Sequence, residues 1–143
     1  MFLRKSRVEP LPVTMGAVRM GERMLQIGID DPGLTSALAA KVGLSGDAAI
    51  VVTDDADAVR ARTAAASAGV LVNVQVTPLA PLPFESGAFD LVIAHSMRGL
   101  VSSLDANART AAAREWHRVL RTGGRVMTIE AGAAGGRRRD REA

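Results

Sequence analysis

The side chains able to do chemistry are few, and they sit where apolar runs end. Gly28 follows Met24-Leu25-Gln26-Ile27 and leads into Ile29, Asp30, Asp31 and Pro32; Asp54 and Asp55 follow a second apolar run, Ala48 to Thr53; His95 follows a third, Phe89 to Ala94. The chain has no cysteine and two histidines, His95 and His117. Disulfides, thiolate nucleophiles and thiolate metal sites are therefore excluded, and two histidines are too few for a convincing metal site. No glycine-rich loop ends in Gly-Lys-Ser or Gly-Lys-Thr, and there is no Gly-x-Ser-x-Gly elbow. What is left is binding chemistry. Gly28 lets the backbone turn sharply or a ligand come close, and carboxylates follow at Asp30 and Asp31 and again at Asp54 and Asp55. His95 reads as a structural histidine or as a base, and no catalytic residue is assigned.

These residues need a scaffold that brings strand ends together. The run Arg23 to Ala40 is a strand, a tight turn and an alanine-rich helix. Asp31 before Pro32 is an N-cap with proline at the first helical position, and Gly43 ends the helix. A second strand, Ala48 to Thr53, leads into a helix from Ala56 to Ala68 that closes on Gly69, and Val70 to Val76 is a third strand. Pro78, Pro81 and Pro83 make Thr77 to Gly87 a loop before the fourth strand, Phe89 to Ala94. Asp105 or a nearby serine caps a helix to Leu120 with an apolar stripe of Ala112, Trp116, Val119 and Leu120. Gly123-Gly124 then stop it before a fifth strand, Arg125 to Glu130. Strands alternating with helices predict an α/β fold, a parallel sheet wound by right-handed crossovers. In such sheets, nucleotide-like ligands bind at the carboxyl ends of the strands, where Gly28 lies.

The 143 residues, 48% of them hydrophobic, suit one globular domain. Residues 1–21 read as a loosely packed N-terminal arm with a short helix, 22–132 as the α/β domain, and 133–143 as a disordered basic tail. No apolar run reaches the roughly 18 to 20 residues of a membrane span, and the start lacks a signal-peptide pattern, so the expected compartment is the cytoplasm. The net charge of +3 belongs to the ends: Arg4, Lys5 and Arg7 near the start, and Arg137, Arg138, Arg139 and Arg141 near the finish. The body between them is nearly neutral. With no tyrosine and 3% aromatic residues there is little to stack on bases, so nucleic acid is not the expected partner.

Two segments carry a resemblance. Leu82-Pro83-Phe84-Glu85-Ser86-Gly87-Ala88-Phe89-Asp90-Leu91-Val92 resembles the "LPF-x-x-x-x-FD-x-V" entry to the fourth strand of class I S-adenosylmethionine-dependent methyltransferases of the small-molecule type. Arg114 to Arg125 resembles that family's "E-x-x-RVL-x-PGG" helix and turn. The resemblance runs from about Glu22 to Glu130. It implies a Rossmann-like, doubly wound sheet ordered 3-2-1-4-5, with S-adenosyl-L-methionine over the ends of strands 1, 2 and 4 and a small-molecule methyl acceptor.

The same resemblance implies the site. Gly28, Ile29 and Asp30 would face the methionine portion of the cofactor, although Gln26 stands at the family's acidic position and Asp30 and Pro32 replace two loop glycines. Asp30 and Asp31 either face the ligand's ammonium and sulfonium charges or are, respectively, solvated and capping. Asp54 matches the acid that takes both ribose hydroxyls, for which a carboxylate offers two acceptors. Asp55 follows it and is a candidate cap. Pro78 stands where the family has an aspartate near the adenine amino group, leaving Leu79 and backbone to hold the base. His95 would line the cofactor or substrate side. The alternative class of function is a catalytically inactive remnant or interaction module that keeps the fold without the site. The family's last two strands have no counterpart in this sequence, so strand 125–130 is expected to be an open edge suited to self-association.

Overall fold

The computed structural model describes residues 18–43 and 45–130 and the backbone of 137–138. Five parallel strands, β1 (Arg23–Ile27), β2 (Asp47–Val52), β3 (Asn73–Val76), β4 (Phe89–Ser96) and β5 (Leu120–Glu130), lie in the order β3-β2-β1-β4-β5. Three helices link them: α1 (Pro32–Val42), α2 (Asp55–Ala68) and α3 (Ala106–Val119). The doubly wound arrangement follows from alternation along the strands. Leu25 and Ile27 of β1 join Val92 and Ala94 of β4 on one face, against Ala112, Trp116 and Val119 of α3. Met24 of β1 joins Leu91 and Ile93 of β4 on the other, against Leu38, Ala39 and Val42 of α1. Successive strand residues point to opposite faces, so two apolar sets on β1 require a helix layer on each side.

The cap chemistry of α1 is as the sequence predicts. The carboxylate of Asp31 accepts from the Gly33 backbone at 2.9 Å, Pro32 opens the helix, and Gly43 closes it with φ of 69°. Several boundaries move. α3 ends at Val119, and Leu120 already starts β5, so Gly123 and Gly124 do not stop a helix. They belong to an irregularity in which Leu120 pairs with Phe89 and Arg125 with Leu91, four residues of β5 standing opposite one of β4. β3 is shorter than the apolar run Val70 to Val76, because its pairing with β2 begins only at Asn73 and Leu71 stays exposed. β4 is longer and includes His95.

The outer edge of β5 is not wholly open. Arg137–Arg138 forms a two-residue antiparallel strand, β6, opposite Met127 and Thr128. A basic tail without regular structure is corrected to that extent, since backbone pairing needs no strand-forming side-chain pattern. Most of the predicted N-terminal arm lies outside the described residues. Its end, Val18, is buried against Met24 and Ile129 in the α1 face of the core. Among the described residues no helix is long and apolar enough to cross a membrane.

Candidate functional site

The carboxyl ends of β1, β2 and β4 meet at one crevice. Gly28 extends the β1 ladder, its N–H donating to the Val51 carbonyl at 2.8 Å, and then turns with φ of 80°. A Cβ built there would lie 2.7 Å from Leu100 Cδ2 and 3.0 Å from the His95 carbonyl oxygen. Only glycine fits, both for the backbone angle and for space.

Beyond Gly28 the loop is tied by charge. Asp30 is not solvated: its side chain is 10% exposed and its Oδ2 accepts from the Met97 N–H at 2.6 Å. Arg60 of α2 donates to the carbonyls of Asp30 at 3.0 Å and Ile29 at 3.4 Å, and pairs with Asp57 at 3.1 Å. Arg98, from the segment after β4, reaches back across the crevice. It donates to the Ile29 carbonyl at 3.2 Å and stands 3.5 Å from both the Asp30 and Asp57 carboxylates. Two carboxylates and two guanidiniums thus balance over the ends of β1 and β2.

Under the loop lies a buried polar relay. Gln26 Nε2 donates to the Thr35 carbonyl at 3.0 Å, so its Oε1 faces His95 Nε2 at 2.6 Å. An amide oxygen can only accept, so the proton of the neutral imidazole is on Nε2 and Nδ1 is bare. Burial pushes the His95 pKa down to about 4, only partly offset by the negative charges of Asp30 and Asp31. His95 is therefore a neutral imidazole at pH 7, inside β4 and not just past it. Gln26 at the family's acidic position is explained by the same contacts: it gives the Thr35 carbonyl a donor, which a carboxylate cannot.

Gly28, Ile29, Asp30, Leu79 and His95 line one cavity of about 240 Å³, and Asp57, Arg98 and Leu100 line it with them. Asp54 and Asp55 do not line it. Asp54, not Asp55, is the cap of α2, with Oδ1 accepting from the Asp57 N–H at 2.8 Å. Asp55 is the exposed first residue of the helix. Arg98 and Asp57 were missed because each is a single charged residue, Arg98 past the fourth strand and Asp57 inside the helix read from Ala56 to Ala68, and only the fold brings them beside Asp30. A larger cavity, about 670 Å³, lies at the amino ends of β2 and β3, lined by Gly46, Asp47, Val70 and Phe89 among others. It lacks convergent charges and sits at the wrong end of the strands for a nucleotide-like ligand.

This geometry meets independent likeness in sequence. A family model described as "Methyltransferase domain" matches residues 25–128. The chain belongs to the methyltransferase-domain family. It is 28% identical over 121 residues to the ubiquinone/menaquinone biosynthesis C-methyltransferase UbiE of Idiomarina loihiensis, covering 82% of this chain and 46% of that protein. The namesake from Ectopseudomonas mendocina is 31% identical over 121 residues, covering 82% and 45%. The chain thus spans about half the length of the curated relatives it matches. In fold it is similar to a SAM-dependent methyltransferase from Aquifex aeolicus, with TM-score 0.69, 15% identity and coverage of 84% and 62%. It is similar also to one from Methanosarcina mazei, with TM-score 0.69, 21% identity and coverage of 85% and 57%.

The two segments that resemble the family's motifs hold each other in this methyltransferase domain. Glu115 of α3 accepts from the Leu82 N–H at 2.7 Å, and Arg118 donates to the carbonyls of Leu82 at 3.0 Å and Phe84 at 2.8 Å. The hydrogen bond from Arg118 lowers the Glu115 pKa, with help from the Leu82 N–H. Asp90 accepts from the Arg23 N–H and guanidinium and from Arg121. These residues fasten the loop that carries Leu79 and the amino end of β4. They are scaffold, not site.

Proposed function

We propose that this chain binds S-adenosyl-L-methionine at the Gly28 crevice and serves a methyltransferase acting on a small organic acceptor. The observation that carries the reading is the cavity at the ends of β1, β2 and β4, where Gly28 permits close approach and Asp30 and Asp57 oppose Arg98. Opposite charges at one end of a cavity suit a zwitterionic amino-acid group, and the acidic pair suits a neighbouring sulfonium. Gly28 to Asp30 would take the methionine end and Leu79 the base; Asp54, at the end of β2 but not in the cavity's lining, would take the ribose where the cofactor extends beyond that cavity, through the carboxylate oxygen that does not cap α2. When bound, the cofactor supplies an activated methyl on a good leaving group. The protein's part is then alignment and exclusion of water, which supply much of the acceleration in such a transfer. Neutral, buried His95 fixes the loop floor through Gln26 and needs no role as base.

At about 240 Å³ the cavity is below the roughly 300–1,000 Å³ usual for drug-sized ligands. Leu100, which covers Gly28, and the segment from Met97 must therefore shift for the whole cofactor to enter. The names of the UbiE relatives suggest a quinone-like acceptor class, and C-methylation is the transfer those names describe. Calorimetric titration with S-adenosylmethionine and S-adenosylhomocysteine tests the reading. Binding in the micromolar range supports it; no heat and no thermal shift at millimolar ligand would overturn it in favour of an inactive, interaction-type domain.

A further inference from the structure

We propose that Arg98 determines ligand specificity at this crevice by anchoring the α-carboxylate of the bound amino-acid group. The inference rests on the cofactor reading and assigns a residue and a chemical discrimination within it.

The two arginines at the crevice are not equivalent. Arg60 is committed: it holds two loop carbonyls and Asp57, the shortest of these at 3.0 Å. Arg98 is held by one hydrogen bond, to the Ile29 carbonyl at 3.2 Å, and is otherwise bracketed loosely. Its ion pairs with Asp30 and Asp57 are both 3.5 Å, beyond the about 2.7–2.9 Å of a charge-assisted hydrogen bond, and its side chain is 59% exposed. A guanidinium presents five donors in a planar fork that matches a carboxylate bidentately. The acidic residues beside it place the complementary charge where an α-ammonium belongs: Asp30 spends Oδ2 on the Met97 N–H and turns Oδ1 towards Arg98. A zwitterion entering between Arg98 and Asp30 lets each charged side chain exchange a loose partner for a close one. A phosphate would gain Arg98 but meet Asp30 and Asp57, and a neutral nucleoside would engage neither charge. The arrangement also answers the loss of loop glycines. Where the backbone at Asp30 approaches a ligand less closely, a side chain from across the crevice reaches it instead.

The test compares S-adenosylhomocysteine, which carries the amino-acid group, with 5′-methylthioadenosine, which lacks it. Each is titrated by calorimetry into the parent chain, Arg98→Ala and Arg98→Lys, with circular dichroism melts to confirm folding. Arg98→Ala should weaken S-adenosylhomocysteine by about tenfold to a hundredfold, the worth of hydrogen bonds to a charged group. It should leave 5′-methylthioadenosine within about twofold, and Arg98→Lys should fall between parent and alanine because a point charge replaces the fork. Unchanged or tighter S-adenosylhomocysteine binding in Arg98→Ala would overturn the anchor while leaving the cofactor reading intact, a gain marking Arg98 as an obstruction. Equal losses for both ligands would overturn it in favour of a purely structural arginine. Absence of binding by both ligands to the parent and both variants would overturn the cofactor reading and the anchor together. Should Arg98→Ala melt early, Arg98→Gln gives the same comparison with the side-chain stem retained.

Discussion

His95 makes the stability of this domain depend on pH in a window where few other groups titrate. Burial holds its folded pKa at about 4 against an ordinary value of 6.5. Above pH 6.5 the imidazole is neutral in both states and costs nothing. As pH falls below that value the unfolded chain takes up a proton that the folded chain refuses, so stability is lost until the folded value is reached. The loss is about 1.4 kcal/mol for each pH step, hence about 2 kcal/mol between about pH 7 and pH 5. The groups with lowered pKa values, Glu22, Asp90 and Glu115, start from ordinary values of 4.5, 3.8 and 4.5, so their losses begin below this window. Urea unfolding of the parent and of His95→Gln at both pH values separates the effect from any general acid sensitivity. His95→Gln retains a donor for Gln26 Oε1 but cannot titrate. The parent should lose about 2 kcal/mol more than the variant across the window. Parallel losses would refute the burial argument and mean that His95 protonates inside the fold.

Asp54→Ala should cost about 1 kcal/mol of stability through its lost cap and weaken S-adenosylhomocysteine by about 1.5–3 kcal/mol. Asp54→Ser should restore the stability and not the affinity; recovery of both in a paired melt and titration would remove Asp54 from the ribose. Asp90 is held well below the usual carboxylate range chiefly by its hydrogen bond from the Arg23 guanidinium, against partial burial. Its stabilisation is full above the unfolded value near 3.8 and lost as pH falls below it, so the parent's advantage over Asp90→Asn in urea should shrink below about pH 4. Glu115→Ala leaves the Leu82 N–H without its acceptor and should cost about 2–3 kcal/mol by chemical denaturation, and a loss under about 0.5 kcal/mol would show that Arg118 alone holds the loop.

Much of this protein was legible in order along the chain because the signals are local. Alternating apolar runs and capped helices specify the α/β class, Asp31-Pro32 and Asp105 mark helix starts, and Gly28 marks the crevice, since each depends on neighbours within a turn or a strand. Boundaries were less legible where pairing overrides propensity: β3 starts only where β2 offers a partner, and Gly123-Gly124 fall in a bulge of β5 because Leu120 on one side and Arg125 on the other already pair with β4. The charge network was not legible at all. Asp30, Asp57 and Arg98 come from three separate strand ends, and nothing in a linear sequence says that a lone arginine 68 positions downstream will face Asp30. The sequence by itself determined the sheet, its layers and the turn at Gly28. Only the tertiary structure decided the protonation of His95, the capping duty of Asp54 and the pairing of Arg98, because burial and cross-strand distance are properties of the assembled fold.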